Sequence, residues 1–317
     1  MSISENIRVT IKVCKMYYED NMSQKEISSK LSISRPQISR ILASARAQNI
    51  VSVKISNPYS DETKYEDILT GRYGLQDALI INTDGIQEAE KLNVFGKAVA
   101  ENLETYISDG DTVGVMSGKT IHAISDHIRS FSRKDLNFIP LVGGIGSTLV
   151  MYHANALVKK LSEYTEGSCS ILNAPFIVQS RHSCELLKNE PEIAGVLKKG
   201  MECDVALVGI GQINVRSTTA QAGALSEADI RTLKEAGAIA SVCASYFDSK
   251  GKPVRTEVQR RSIGVAFGDM HKARKIAMAI GKNKIEAIKA ALNSGLVDVF
   301  MTDLETARLI MGEEIQQ

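Results

Sequence analysis

Two groups of residues in this chain have types and spacing suited to chemistry. Arg35, Pro36, Gln37, Ser39 and Arg40 fall within six positions. Arginine pairs with guanine edges and glutamine with adenine edges, and either can bind phosphate instead. The second group is dispersed: Ser117-Gly118-Lys119-Thr120, then Gly143-Gly144, then Lys284. Backbone amides at a helix start attract an anion, hydroxyls add donors, and glycines admit close backbone approach. The first stretch lacks GxxxxGKT spacing, so MgATP hydrolysis is a poor reading of it. A plain turn and cap at 117–120, an exposed charge pair at Lys282 and Lys284, and glycines that merely shape a turn are the inert alternatives.

No other cluster competes. His122, His127, His153, His182 and His271 form no HExxH pattern, and the five cysteines form no CxxC pair, so neither metal nor cofactor is implied. Asp204 and Asp269 read as polar sheet-end residues as readily as acid–base groups, and no nucleophile–base pair is visible.

The elements that position the first group are short helices. Asn6–Tyr18 is expected to be helical. Ser23 followed by Glu26 makes a capping box for a second helix carrying Ile27 and Leu31. Ser32-Ile33 breaks it, and Ser34 caps a third helix with Pro36 in its first turn. Ile38, Ile41, Leu42 and Ala45 make the buried stripe of that helix, leaving Arg35, Gln37 and Arg40 largely off it. Residues 50–55 alternate as IVSVKI and are expected to form a wing strand, with Lys54 near phosphate. The arrangement predicts a winged helix-turn-helix that binds DNA; a helical hairpin with a charged solvent face is the bland alternative.

Asn57-Pro58 marks a boundary, giving domains 1–57 and 58–317. The longer segment predicts strands at 75–81, 112–116, 138–142, 205–210, 238–245, 263–267, 277–281 and 297–302. Helices are expected at 92–107, 154–164, 227–236 and 284–294. Apolar strands alternating with helices indicate an α/β, Rossmann-like domain with a mainly parallel sheet. In such sheets ligands sit beyond the carboxyl ends of the strands, where 117–120, 143–144, Gly209–Gly211 and 281–284 all fall. Thr302-Asp303 reads as the cap of the last helix.

Charge follows the division. Residues 1–57 hold nine basic and four acidic side chains, net +5; the remainder holds 29 basic and 33 acidic, net −4. The polyanionic phosphate backbone therefore attracts the first segment and weakly repels the second. No uninterrupted apolar run approaches 18 residues and MSISENIR is no secretory leader, so a cytoplasmic protein without a membrane span is expected.

In order along the chain, LSISRPQISRIL, VGVMSGKT, FIPLVGG, ALVGIG, GKNKIEAIKAAL and VFMTDLETA resemble the SorC family of bacterial sugar-responsive transcriptional regulators, from about Ile7 to Met311. That resemblance implies an effector domain similar to sugar-phosphate isomerases, which binds a phosphorylated sugar without turning it over. It also implies operator double-stranded DNA as partner and a homo-oligomer, tetramer or dimer of dimers. It carries DNA contact to Arg35, Pro36, Gln37, Ser39 and Arg40, and effector contact to Ser117, Gly118, Lys119, Thr120, Lys284, Gly143 and Gly144. The chain departs from the family at Ser117, where an aromatic residue is common, at Gly281-Lys282, where a glycine pair is usual, and at Ser241, where an acid is often found. An active isomerase fused to a DNA-binding domain, and an architectural DNA binder whose large domain only oligomerises, are the two alternatives.

Overall fold

A computed structural model describes residues 7–53 and 57–312. The contacts group into two compact units, residues 1–58 and 59–317. The smaller has three helices, α1 (Ile7–Tyr18), α2 (Gln24–Leu31) and α3 (Arg35–Ala47). Its core is Val13, Cys14, Met16, Ile27, Ile33, Ile38, Ile41, Leu42 and Ala45. The expected stripe of α3 is thus the buried one. The capping box of α2 forms: the Ser23 N–H donates to Glu26 Oε2 at 2.8 Å, and the Glu26 N–H donates to Ser23 Oγ at 3.3 Å. Ser32 turns the chain between α2 and α3 in the left-handed region, at φ 51°. Arg46 donates to the Tyr18 hydroxyl at 2.9 Å, tying α3 to α1. The wing strand expected at 50–55 is absent from residues 50–53, and Lys54, Ile55 and Ser56 lie outside the described residues.

The larger unit runs α4 (Ser60–Tyr73), β1 (Asp77–Ile81), α5 (Glu88–Leu103), β2 (Thr112–Val115), α6 (Lys119–Ser125), β3 (Asn137–Pro140), α7 (Ala154–Tyr164) and β4 (Ser168–Cys169). It continues through α8 (Arg181–Asn189), α9 (Pro191–Met201), β5 (Val205–Gly209), β6 (Gly211–Gln212), α10 (Thr218–Gln221), α11 (Glu227–Glu235), β7 (Ala240–Val242) and β8 (Ser245–Phe247). It closes with α12 (Glu257–Arg260), β9 (Arg274–Met278), α13 (Ile285–Asn293), β10 (Val299–Asp303) and α14 (Leu304–Ile310). Seven strands form one sheet in the order β1-β10-β9-β5-β2-β3-β4, with every pairing parallel.

Side chains alternate across that sheet, so each strand feeds two cores. Val113, Val115, Val205, Leu207, Ile276 and Met301 meet α5, α6 and α7 through Phe95, Ile121, Ile124 and Leu157. Ala78, Ile80, Ala206, Val208, Ala277 and Phe300 face the other way, into a core with Leu69 of α4, Ile288 of α13 and Leu304 of α14. The strand order places the site. From β2 the chain progresses to β3 and β4 on one side; from β5 it progresses to β9 and β10 on the other. The reversal lies between β2 and β5, where a crevice opens beyond the carboxyl ends of the two strands.

Two strand expectations are corrected. Residues 263–267 form no strand; they make isolated bridges, Gly264 to Val142 and Ala266 to Cys243. The strand expected at 238–245 is broken at Cys243, whose φ is 51°, into β7 and β8. With β6 these build a separate three-stranded antiparallel sheet. Among the described residues no helix is long and apolar enough to cross a membrane.

One glycine fixes how α6 sits. A Cβ on Gly96 of α5 would lie 2.6 Å from the Ala123 carbonyl oxygen of α6. Glycine inside a helix normally costs about 1 kcal/mol against alanine; here the extra methyl would meet backbone. Gly96→Ala is therefore expected to destabilise the domain by about 1–3 kcal/mol, read by urea denaturation. A more stable variant would mean that the two helices are not held at this approach.

Candidate ligand cavity and nucleic-acid interface

The crevice at the strand reversal holds a cavity of about 250 Å³. Strand β2 delivers Met116, then Ser117-Gly118-Lys119-Thr120 opens α6. The exit of β5 delivers Gly209, Ile210 and Gly211, and the loop after β6 with the start of α10 supplies Arg216 to Thr219. Ser241, Cys243 and Tyr246 enter from β7 and β8, and Lys284 from the start of α13.

Gly118 takes φ 148°, a conformation that an L side chain rarely adopts. Its N–H donates to the Tyr152 carbonyl at 2.9 Å. Ser117 and Thr120 are buried, 7% and 5% exposed, yet line the cavity, and their hydroxyls make no hydrogen bond among the described residues. Lys119 donates to Gln221 Oε1 of α10 at 3.1 Å, linking α6 to the Arg216-bearing segment. Lys284 makes no ion pair or side-chain hydrogen bond among the described residues. Burial, reinforced by the nearby Lys119 ammonium, pulls its pKa down to about 8. Such a cation gains most from an anion that restores the lost solvation.

Three cations thus line the cavity: Lys119, Lys284 and Arg216. No aspartate, glutamate or histidine is among its lining residues. The arrangement suits binding of an anion; it lacks the paired acid and base that proton abstraction would require.

Gly143 and Gly144 are not part of this lining. A Cβ on Gly143 would lie 2.6 Å from the Ala174 carbonyl oxygen, and the Gly144 N–H donates to that same oxygen at 2.9 Å. The smallness of Gly143 lets the 174–176 loop pack against the exit of β3 and bring Phe176 to the cavity wall. Asp303 caps α14, accepting from the Thr306 N–H at 3.2 Å, and its other oxygen accepts from Thr83 at 3.0 Å. Arg216, Ser217, Thr218 and Thr219 lie outside the motifs that sequence alone singles out. The signal was present: a basic residue followed by three hydroxyl residues just beyond the Gly-Ile-Gly exit of β5.

In the smaller unit, Arg35, Pro36, Gln37, Ser39 and Arg40 are all exposed on α3. The Arg35 and Arg40 guanidinium groups have no partner among the described residues. Gln37 is engaged: its Oε1 accepts from the Ser34 N–H at 3.3 Å and from the Ser34 hydroxyl at 2.9 Å. Its carboxamide carbonyl thus closes the helix start, and its NH2 makes no bond among the described residues.

A switch-point α/β domain with an anion-adapted cavity, carried on one chain with a helix-turn-helix, defines a ligand-responsive DNA-binding regulator. Residues 57–312 match the Sugar-bind family, described as "Putative sugar-binding domain". The chain belongs to the SorC/DeoR family of sugar-binding transcriptional regulators. It is similar to the deoxyribonucleoside regulator of Bacillus subtilis, 26% identical over 98% of this chain and 99% of the relative. The full-length sorbitol operon regulator SorC from Klebsiella pneumoniae superposes with TM-score 0.74 at 25% identity, over 97% of this chain and 99% of that one. A DeoR family transcriptional regulator from Listeria monocytogenes superposes with TM-score 0.74 at 29% identity, covering 78% of this chain and 99% of that one.

Proposed function

We propose that the protein controls genes of carbohydrate uptake or catabolism in response to a phosphorylated sugar. Residues 58–317 bind the effector and oligomerise, and residues 1–57 hold operator DNA. The observation that carries this reading is the cavity with three cations and no carboxylate. The phosphate meets Ser117, Thr120, Lys119 and Lys284, with Arg216 beside it. The protein acts as a homo-oligomer, a tetramer or dimer of dimers as the family resemblance implies, and paired half-sites require at least two recognition helices. Effector binding then favours one arrangement of those pairs, which requires unequal affinity for the DNA-competent and DNA-incompetent states.

The test is calorimetry on the full chain with sugars and their phosphates, followed by operator binding at fixed salt with and without each ligand. Phosphorylated sugars are expected to bind and to change operator affinity, and unphosphorylated ones are expected to do neither. Failure of every phosphorylated sugar to bind would end the sensing claim; binding without any change in operator affinity would end the switch claim.

On the DNA side, Arg40→Ala is expected to weaken operator binding by about 5- to 150-fold, corresponding to about 1–3 kcal/mol. Ligand affinity should stay unchanged. If Arg40 reads a base, discrimination at one operator position relaxes; if it holds phosphate, the salt dependence becomes shallower. Equal losses of DNA and ligand binding would contradict the division of labour.

A further inference from the structure

We propose that Gln221 is a positioning residue for effector binding: it holds the Lys119 ammonium at the cavity before an anion arrives, so that the cations of α6 and of the segment leading into α10 act as one clamp. The inference rests on the anion-binding reading above and goes beyond it, because Gln221 lies outside the cavity lining. Lys119 and Gln221 are both exposed. An unrestrained lysine stem at such a place has many rotamers, and that freedom is lost when the ammonium meets a ligand. The bond from Lys119 Nζ to Gln221 Oε1, 3.1 Å long, restricts the stem in the empty protein, so less freedom remains to be lost. An ammonium has three N–H donors, and one given to Gln221 leaves the others for a phosphate. The carboxamide is neutral, so it orients the ammonium without cancelling its charge.

Such a bond positions Lys119 only if Gln221 is itself fixed, and α10 has four residues, too few for a helix to hold its own shape. It is pinned at both ends. Before it, Asn214 Nδ2 donates to Gln212 Oε1 of β6 at 2.6 Å, and Asn214 Oδ1 accepts from the Arg216 N–H at 2.9 Å. The Ser217 hydroxyl then caps α10, accepting from the Ala220 N–H at 3.3 Å. After it, Gly223 forms an antiparallel bridge with Gly146. Gly146 has φ 123°, and a Cβ there would lie 1.8 Å from the Ala222 carbonyl oxygen, so only glycine admits this approach. The same β3 exit segment reaches Tyr152, whose carbonyl accepts the Gly118 N–H. One stretch of chain thus ties the base of Lys119 and the far end of α10 together.

The position of Lys119 is readable at Lys284. Burial is the main cause of the low Lys284 pKa, and the Lys119 ammonium adds to it. An open hollow of about 780 Å³ adjoins the cavity and shares Lys119, Arg216 and Lys284 with it. The other charged groups lining that hollow are Glu88 and Lys91 of α5, Asp303 at the end of β10 and Glu305 of α14. A Lys119 released from Gln221 carries its charge into solvent, and Lys284 then keeps its proton to higher pH. A side chain that merely stabilised α10 would leave that titration where it is.

The experiment is calorimetric titration of the full chain with inorganic phosphate, from neutral pH to about pH 10, on the unaltered protein, Gln221→Leu, Lys119→Met and the double variant. Gln221→Leu should weaken phosphate binding by about 2- to 12-fold, the effect of leaving one long side chain to be immobilised by the ligand. It should also move the alkaline decline in affinity to higher pH. In the Lys119→Met background Gln221→Leu should change neither quantity, because its action runs through that ammonium. Retained binding at saturating phosphate shows that Gln221→Leu is folded. Undiminished affinity of Gln221→Leu, a loss with the alkaline decline unmoved, or a loss that persists in the Lys119→Met background overturns this inference and leaves the anion-binding cavity in place. Absence of phosphate binding by the unaltered chain overturns both.

Discussion

Lys284→Met is expected to weaken binding of a phosphorylated sugar by about 10- to 150-fold, the equivalent of one charge-assisted hydrogen bond worth about 1.5–3 kcal/mol. The same substitution should raise the melting temperature of the empty protein. In the empty cavity the ammonium is partly desolvated, lacks an anionic partner among the described residues and is repelled by Lys119. A methionine removes that conflict while keeping much of the side-chain volume. Loss of affinity with gain of stability separates a binding role from a structural one. A variant that loses both, by calorimetry and thermal unfolding, would place Lys284 in the scaffold.

The pH dependence follows from the same group. With a pKa of about 8, Lys284 in the empty protein loses its proton as pH rises through that value. A bound phosphate favours the charged form, so affinity should be greatest below pH 8 and decline above it, with proton uptake on binding near pH 8. At the acidic side, a phosphate monoester loses its second charge below a pKa of about 6, which closes the window. Folding stability of the unliganded chain moves the other way. The folded-state pKa lies below the unfolded one, so the unfolded state binds more protons above pH 8, and stability contributed by this residue rises towards pH 10. Both slopes should flatten in Lys284→Met.

Ile38→Ala is expected to abolish operator binding and leave effector binding untouched. Ile38 is fully buried in α3 among Ile27, Ile41 and Val13. Truncating it costs about 2–5 kcal/mol through lost transfer energy and the cavity left behind. A unit of 58 residues has little more stability than that to lose. Ile38→Val should cost only about 0.5–1.5 kcal/mol and keep most operator affinity. Fluorescence anisotropy with operator DNA, alongside calorimetry, checks the pair; full operator binding by the alanine variant would mean that α3 does not depend on this core.

Legibility tracked how local the determinants were. The stripe of α3, the capping box at Ser23 and the Asp303 cap are set by residues within one or two turns, and they stand where the spacing puts them. Most strands of the parallel sheet are short apolar runs bounded by turn residues, whereas β4 is only Ser168-Cys169. Strand β9 was harder: it begins at Arg274-Lys275, and Lys275 is buried because its ammonium lies 3.9 Å from Asp298, a partner distant in sequence. Residues 263–267 are as apolar as a strand, but tertiary packing uses them in isolated bridges to Val142 and Cys243, and nothing nearby in the chain announces those partners. The helices α8 and α9 went unassigned because their apolar positions are few or interrupted by Gly195 and Gly200. At the cavity, the β2 exit and Lys284 were readable from strand-then-helix punctuation. Arg216 was marked only by the hydroxyl run that follows it, and Ser241 by no local signal, because tertiary packing alone brings β7 to the same crevice.

The engagement of Gln37 with Ser34 restricts how this protein's target preference can drift. A side chain that both closes the first turn of α3 and faces outward serves two masters. Most substitutions there would alter recognition and fray the helix together, so new operators are more accessible through Arg35, Ser39 or Arg40, whose replacement leaves the turn closed. Glutamate is the informative exception: it retains the acceptor that Ser34 needs, withdraws the amide donor and adds a negative charge, so Gln37→Glu changes operator binding while the turn stays closed.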